Sequence, residues 1–220
     1  MKNPYTAWLD LASARTWAEG LTWYADANTF AKTLATDYDL TIEKTAGVIA
    51  ALSASVRWSI NQTDAESLCR SYAMGEDTFD VVLHTYGKQC AKAREILDAP
   101  KDVMPHTVAK ILGRRAWKTQ AFFWCILDPT CEKTHADPWR QVCIDRHMIS
   151  AAGFDSKWTQ GASGPYRILA ELVIDARKQG HMFLNVAQIQ AIVWCTYKAV
   201  AGKRGSIDPK DIDDGNEIPI

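Results

Sequence analysis

Residues 106–127 carry the pattern that most restricts the fold, because they predict two short helices joined by a tight basic turn. Apolar side chains recur at helical spacing over residues 106–112 and again over residues 119–127. Gly113 begins the turn between them. Three cations follow it: Arg114, Arg115 and Lys118. Because backbone N–H groups at such a turn can bind a phosphate, the segment predicts a helical hairpin with a local anion site.

Asp145 stands where a second pattern predicts the start of a helix. Apolar residues 142–144 lead to it, and a helical pattern begins at Arg146. Aspartate is favoured at this position because its side chain accepts hydrogen bonds from the first N–H groups of the helix. Asp145 follows Lys118 by about 27 positions, so the two form the first candidate constellation for chemistry. A helix cap and a surface cation are the structural alternatives.

Helical signals continue along the rest of the chain, whereas convincing alternating strand patterns are absent from the sequence. Apolar spacing predicts helices over residues 6–19 and 21–38, with Gly20 between them. A capping box beginning at Thr63 predicts the start of another helix, and Asn185 with its glutamine three residues later predicts the cap of the last one. We therefore expect an all-α fold.

Length and composition are those of a globular domain. The chain has 220 residues, of which 47% are hydrophobic and 23% charged. We expect residues 1–201 to form a single helical domain, with two lobes around a cleft and the hairpin at 106–127. Residues 202–220 are rich in Gly, Pro and Asp, which predicts a loosely held tail. No apolar stretch approaches transmembrane length, so no membrane partner is expected.

The net charge and the cysteine spacing limit the kinds of nucleic-acid and metal site that the chain is expected to contain. A net charge of −1 gives no general affinity for nucleic acid, but residues 101–118 carry five cations against one aspartate. The six cysteines form neither a C-x-x-C pair nor a zinc-ligand spacing. Three of them, Cys125, Cys143 and Cys195, lie in apolar runs typical of core residues. We expect a reducing intracellular setting, no Fe–S centre and no metal-ligand cluster.

A second constellation lies after an apolar helix that ends near residue 54. The following turn is expected to expose Ser53, Ser55, Arg57, Trp58 and Asn61. Trp58 can stack on a base, Asn61 can bind a base edge or a backbone carbonyl, and Arg57 can meet phosphate. The alternatives are a tryptophan packed between helices and an asparagine that supports the turn.

Gln190 and Trp194 form the third constellation. They are four residues apart on the last helix and therefore share a face. Trp194 is also explained by a core position. Gln190 lies among apolar neighbours, so its amide needs a hydrogen-bond partner.

The hairpin and the Asp145 segment resemble those of the helix-hairpin-helix DNA glycosylase superfamily. Its members have a Leu-x-Gly-x-Gly-x-Lys-Thr-Ala hairpin followed by a Val-Asp-x-His segment. The corresponding residues are Leu112, Lys118, Thr119 and the segment 144–147. The two glycine positions of the pattern fall on Arg114 and Ala116, so guanidinium groups are expected to share in phosphate binding.

Four elements in chain order resemble a narrower group, the phage DNA-hypermodification branch of that superfamily. Its members are called α-glutamyl/putrescinyl-thymine pyrophosphorylases or amino acid:DNA transferases. The matching elements are Leu52, Ser53, Trp58 and Asn61; Lys118, Phe122 and Phe123; residues 144–147; and residues 190–194. The resemblance covers roughly residues 47–198.

This resemblance implies a transferase that acts on a modified pyrimidine base in DNA. The expected substrate is 5-hydroxymethyluracil activated as a pyrophosphate ester, from which an amino acid or polyamine would displace the pyrophosphate. The implied partners are that DNA and the amine, in the cytoplasm of a phage-infected cell. No cofactor is implied, although pyrophosphate can bring Mg²⁺ with it.

The resemblance also assigns roles to residues. Asp145 accepts a proton from the amine, with His147 as the alternative base. Lys118, Arg114 and Arg115 stabilise the departing pyrophosphate. The expected contacts to base and DNA come from Ser53, Arg57, Trp58, Asn61, Gly113, Arg114, Arg115, Arg146, Gln190 and Trp194.

Two other functions fit the same residues. A DNA N-glycosylase, with or without lyase activity, would use Lys118 and Asp145 on the sugar after flipping the base out of the helix. A catalytically silent DNA-binding protein would use the hairpin only to hold backbone phosphate.

Overall fold

The computed structural model describes residues 3–131, 138–155 and 163–203. Within them the chain forms ten α-helices and one short 3-10 helix, with no strand, which confirms the all-α prediction. The α-helices are α1 (Pro4–Asp10), α2 (Ala14–Asp37), α3 (Ile42–Leu52), α4 (Trp58–Ala73), α5 (Gly87–Asp98), α6 (Pro105–Leu112), α7 (Trp117–Leu127), α8 (Arg146–Ala151), α9 (Ser163–Lys178) and α10 (Val186–Lys203). The 3-10 helix is Pro138–Gln141.

The described residues group into two compact units. The first contains the residues up to Ala27 and those from Trp124 onward, and the second runs from Asn28 to Phe123. The first unit therefore contains α1, the N-terminal part of α2, and α8 to α10. The second contains α3 to α6.

Helix α10 is the centre of the first unit, where it packs against α1, α8 and α9. Two buried tyrosines tie these helices together. The Tyr5 hydroxyl donates to the Met148 carbonyl (2.9 Å), and the Tyr166 hydroxyl donates to the Val142 carbonyl (2.7 Å). Burial raises the pKa of both phenols. Both hydroxyls therefore remain hydrogen-bond donors well beyond neutral pH.

Helix α2 runs through Gly20, so the prediction of two helices separated at this residue is wrong. Gly20 is buried, and a Cβ atom there would lie 2.5 Å from the backbone Cα of Ile192. The glycine therefore permits close packing of two helix backbones. The break lies at residues 11–13, where the Ser13 hydroxyl accepts a hydrogen bond from the Thr16 N–H (3.1 Å).

Helix α3 is the centre of the second unit, where it packs against α4, α5 and α6. Gly47 allows the contact with α6, because a Cβ atom there would lie 2.5 Å from Cγ1 of Val108. The Lys44 ammonium is buried and donates to the Leu97 carbonyl (2.6 Å). Burial lowers the pKa of this ammonium.

The prediction that a helix opens at Thr63 is also wrong, because α4 begins at Trp58. Arg57 is its N-cap and makes no side-chain capping hydrogen bond. The Thr63 hydroxyl donates instead to the Ser59 carbonyl one turn earlier (3.2 Å). Asn61, which precedes Thr63, is buried and donates to the Ile49 carbonyl (3.0 Å), so packing against α3 favours a helix that begins earlier than the local pattern indicates.

The other helix signals are confirmed. Helix α6 ends at Leu112, and α7 begins at Trp117, two residues before the predicted start. In the last capping box the Gln188 N–H donates to Asn185 Oδ1 (2.9 Å), and the Asn185 N–H donates to Gln188 Oε1 (3.1 Å). Most of the predicted tail, residues 204–220, lies outside the described residues. No helix in the described part of the chain is long and apolar enough to cross a membrane.

Candidate functional site

Asp145 is the N-cap of α8, and its carboxylate is held by three N–H groups. Its Oδ1 accepts hydrogen bonds from the backbone N–H groups of His147 (2.9 Å) and Met148 (3.0 Å). Its Oδ2 accepts from the indole Nε1 of Trp194 (2.9 Å). A carboxylate offers about four lone-pair positions, so one position remains for a further donor. The group is thus fixed in orientation and can still accept a proton.

Trp194 joins α10 to the start of α8 through this bond. The two residues are 49 positions apart in sequence, and both are half-buried. The indole is therefore neither a simple core residue nor an open stacking surface, because its N–H is used to orient the carboxylate. Asp145 of the first sequence constellation and Trp194 of the third are thus joined within one unit.

Aromatic rings surround the Asp145–Trp194 pair. The His147 and Trp194 rings meet edge to face at a centroid distance of 6.2 Å, and the Trp23 and Trp194 rings do so at 6.0 Å. The centroid of the Tyr197 ring lies 6.2 Å from that of the His147 ring. Restricting the imidazole between two rings keeps the alternative base, His147, beside the indole that orients Asp145.

The Lys198 ammonium lies over the face of Trp194, 4.2 Å from the ring centroid. The predicted site residues did not include Lys198, Tyr197, Trp23 or Tyr24. Helical spacing provided a signal for the first two, because Tyr197 and Lys198 follow Trp194 by three and four residues on α10. No local signal connects α2 with α10.

Gln190 has the partner that its apolar surroundings require. It is 4% exposed, and its Oε1 accepts a hydrogen bond from the Tyr24 hydroxyl (2.6 Å). Burial raises the pKa of Tyr24 well above its ordinary value. The phenol therefore stays protonated and holds the Gln190 carbonyl, which leaves the amide NH₂ as the donor available to other groups.

In the second unit, Trp58 is the first residue of α4 and contacts two other aromatic rings. Phe30 meets it edge to face at a centroid distance of 6.2 Å, and Phe122 does so at 6.3 Å. Trp58 is half-buried, as is the preceding Arg57. This is a packed aromatic group with part of one indole still exposed.

Asn61 is not presented by an exposed turn, which corrects the expectation for this residue, whereas Ser53 is half-exposed at the start of the turn after α3. Asn61 lies inside α4 at 1% exposure, and its Nδ2 donates to the Ile49 carbonyl (3.0 Å). The Ser53 hydroxyl donates to the Ala50 carbonyl (2.8 Å). Both side chains bind carbonyls near the end of α3, because α4 begins early enough to bury Asn61. Of the alternatives for Asn61, the structure matches binding to a backbone carbonyl.

Two side chains donate hydrogen bonds to backbone carbonyls at the hairpin turn. Gln120 Nε2 donates to the carbonyls of Ala109 (3.0 Å) and Gly113 (2.7 Å), and the Lys92 ammonium donates to the Leu112 carbonyl. Gly113 has a φ of +113°, which favours glycine over any residue with a side chain. Lys92 was not selected from the sequence, since it lies on α5.

The turn presents its cations outward. Arg114, Arg115 and Lys118 are all exposed. Arg114 and Arg115 make no hydrogen bond or ion pair with any other residue in the described ranges. Two adjacent exposed guanidinium groups on a glycine turn can bind phosphate oxygens.

The candidate residues are divided between the two units. The first unit contains Asp145, Arg146, His147, Gln190 and Trp194. The second unit contains the residues of the second constellation and the cations of the hairpin turn. Arg146 is exposed at the start of α8. Among the described residues no group of three or more His, Cys, Asp or Glu side chains is arranged to hold a metal ion.

Comparison with models of protein families shows to which family the chain belongs. A model described as a family of unknown function (DUF7178) matches residues 2–202. The chain belongs to the DUF7178 family. The match to the DUF7178 model includes every candidate residue described above. No curated protein and no solved structure matched the chain in the corresponding searches.

Proposed function

We propose that this chain is a transferase that modifies thymidine-type bases in DNA, with the helix-hairpin-helix glycosylase-like architecture implied by its motifs. An amino acid or amine replaces pyrophosphate on activated 5-hydroxymethyluracil. The observation that carries the proposal is the 2.9 Å hydrogen bond from Trp194 Nε1 to Asp145 Oδ2. It joins two of the four motif elements on which the resemblance rests. Capping of α8 does not require the bond from the indole, whereas proton transfer benefits from a carboxylate whose orientation is fixed.

In the proposed reaction the amine nitrogen attacks the exocyclic carbon of the base. A C–N bond forms, the C–O bond breaks, and its electron pair leaves with pyrophosphate. The amine loses a proton, which Asp145 accepts at its remaining lone pair, with His147 as the alternative acceptor. Mg²⁺ can accompany the pyrophosphate, and no residue is assigned to bind it.

DNA is the proposed macromolecular partner. Arg114 and Arg115 are exposed on the glycine turn, where guanidinium groups suit phosphate, and Lys118 is the proposed cation for the leaving group. Trp58 offers the exposed part of its indole to a base. In the first unit, Gln190 offers its amide NH₂ for a base carbonyl, because Tyr24 occupies its oxygen.

Incubation with defined DNA substrates tests the proposal. Duplexes containing 5-hydroxymethyluracil, with or without its pyrophosphate ester, are incubated with an amine mixture and digested to nucleosides for mass spectrometry. We expect a heavier nucleoside from the pyrophosphate ester alone. An abasic site would instead identify a glycosylase, and DNA binding without a change of mass would identify a binding protein. Either of these results overturns the transferase.

A further inference from the structure

A surface cavity in the second unit is lined by none of the candidate site residues. Its volume is about 420 Å³. Ser67, Arg70 and Ser71 of α4 form one wall. Glu76, Asp77, Asp80 and Val81, from the loop that follows α4, form the other. Three carboxylates against one guanidinium make the cavity acidic, so it favours a cation.

The loop wall is fixed in place by the neighbouring helix. Arg94 of α5 donates from Nε (3.0 Å) and Nη2 (2.9 Å) to the Thr78 carbonyl, and its guanidinium lies 4.6 Å from the centroid of the Phe79 ring. The Phe79 N–H donates to Asp77 Oδ1 (2.9 Å). The Glu76 N–H donates to the Ser71 carbonyl (3.0 Å), which closes the loop onto α4. The acidic wall is therefore formed before any ligand arrives, which lowers the entropy lost on binding.

Ser71 adds a polar residue to the wall of the cavity. The residue is 5% exposed, and it lines the cavity. Within the described ranges its hydroxyl makes no hydrogen bond. The hydroxyl oxygen is not enclosed by the protein, so it can bind a donor or acceptor that enters the cavity.

Large apolar side chains beside the cavity are left uncovered. Phe79 and Val82 are each 77% exposed, and Met74 at the end of α4 is 67% exposed. The Phe79 ring contacts the Arg94 guanidinium and is nevertheless largely exposed. A group of exposed apolar side chains next to a polar cavity is typical of a protein-binding surface.

We propose that residues 74–82 dock a protein partner that inserts an arginine side chain into the acidic cavity. Apolar side chains flanking that arginine cover Phe79 and Val82. The guanidinium provides several donors for the carboxylates and for the Ser71 hydroxyl, and the charges are complementary. A nucleic acid is disfavoured, because three carboxylates repel its phosphates. This docking surface is independent of the proposed transferase activity.

A peptide selection tests the surface. A phage-displayed library of random short peptides is selected against the full chain, and enriched peptides are synthesised with a fluorescent label for anisotropy. We expect arginine next to aliphatic or aromatic residues. Replacing that arginine by citrulline, which has a similar shape and no charge, should weaken binding about tenfold or more. The Glu76→Gln/Asp77→Asn/Asp80→Asn variant should do the same, and Asp77→Asn keeps an oxygen for the Phe79 N–H.

A control variant with the same change of net charge separates the cavity from general electrostatics. Asp37→Asn/Glu95→Gln/Asp98→Asn removes three exposed carboxylates that do not line the cavity. It should bind the peptide as wild type does, whereas Phe79→Ala alone should weaken binding. Equal losses in both triple variants, a citrulline peptide that binds equally well, or no enrichment of arginine would each overturn the proposal. Melting curves of all variants exclude unfolding as the cause.

Discussion

At the scale of single residues, Asp145 combines a structural and a proposed chemical role. One oxygen caps α8, and the other accepts the Trp194 N–H. A capping residue needs only the first of these contacts. The second fixes the carboxylate plane, so substitutions can separate the two roles.

Asp145→Asn should lower turnover on activated DNA by roughly 10²–10⁴-fold, because the amide cannot accept the proton. If its oxygen keeps the cap, its NH₂ faces the Trp194 N–H, and two opposed donors cost about 1–3 kcal/mol when fully buried. Trp194 is half-buried, so we expect the lower end of that range. Product formation and a melting curve from the same preparation measure both effects.

Asp145→Ser is the matched variant, because serine caps well and is too short to oppose the indole N–H. It should be as inactive as Asp145→Asn. Thr41→Ala, which removes the cap of α3, should cost about 1 kcal/mol and leave turnover per folded molecule unchanged. Full turnover in both Asp145 variants would remove this residue from the mechanism and transfer the base role to His147.

Gly20→Ala should destabilise the protein even though alanine is the better helix former by about 1 kcal/mol. The new Cβ would lie 2.5 Å from backbone atoms of Ile192, which cannot move away as a flexible side chain can. Thermal unfolding should show a lower melting temperature. Gly164→Ala on α9 is the control, because its Cβ meets nothing within 4 Å and should be neutral or stabilising. A melting temperature for Gly20→Ala at or above wild type contradicts the proposed backbone contact.

At the scale of elements, the hairpin is a rigid support for exposed cations. Gln120 and Lys92 bind the carbonyls of the turn, and Gly113 supplies the positive φ. Arg114 and Arg115 therefore project from a fixed backbone. Such an element suits phosphate binding, since only the side chains must be ordered on contact.

Arg114→Gln/Arg115→Gln should weaken DNA binding and reduce its dependence on salt. The slope of log affinity against log salt should fall by about 0.9 for each lost phosphate contact. Titrations at several salt concentrations measure it. The control is Arg167→Gln/Lys178→Gln on α9, where the cations already pair with Glu171 and Asp175. An unchanged slope in the hairpin variant would show that these arginines do not contact DNA.

At the scale of the whole molecule, many titratable groups are buried in their neutral form. Burial raises the pKa of the Cys69 and Cys195 thiols from 9.0 to about 12. Burial likewise raises the pKa of the phenols of Tyr5, Tyr24 and Tyr166. The pKa of Lys44 shifts in the opposite direction, because burial lowers it. The buried neutral thiols and phenols outnumber Lys44, so they determine how stability changes at alkaline pH.

Because of these thiols, the free energy of unfolding should fall between about pH 9 and 12, whereas below about pH 9 they add no pH dependence. The sign follows from the raised folded-state pKa values, since the unfolded chain loses protons first and is favoured as pH rises. Urea unfolding at a series of pH values measures this. Cys69→Ala should make the alkaline decline shallower, whereas Val48→Ala, which truncates a buried side chain that does not titrate, should leave the slope of the decline unchanged. Stability that increases over the same window would contradict neutral burial.

The sequence by itself determined the helices and the caps that depend on nearby residues. Local patterns predicted the hairpin of α6 and α7, the Asp145 cap and the Asn185–Gln188 box. They could do so because capping bonds and helical apolar spacing join residues a few positions apart. The same local rules misplaced the breaks at Gly20 and Thr63. Whether a glycine ends a helix or admits a neighbour depends on what packs against it.

Only the tertiary structure decided which candidates meet. Trp194 reaches Asp145 across 49 positions, and Tyr24 reaches Gln190 across 166. The early start of α4 likewise turned Asn61 from an expected exposed residue into a buried support for α3. Contacts of such separation are fixed by helix packing, in which α10 lies against α8 and α4 lies against α3. No local periodicity encodes them, because each depends on burial created by distant segments of the chain.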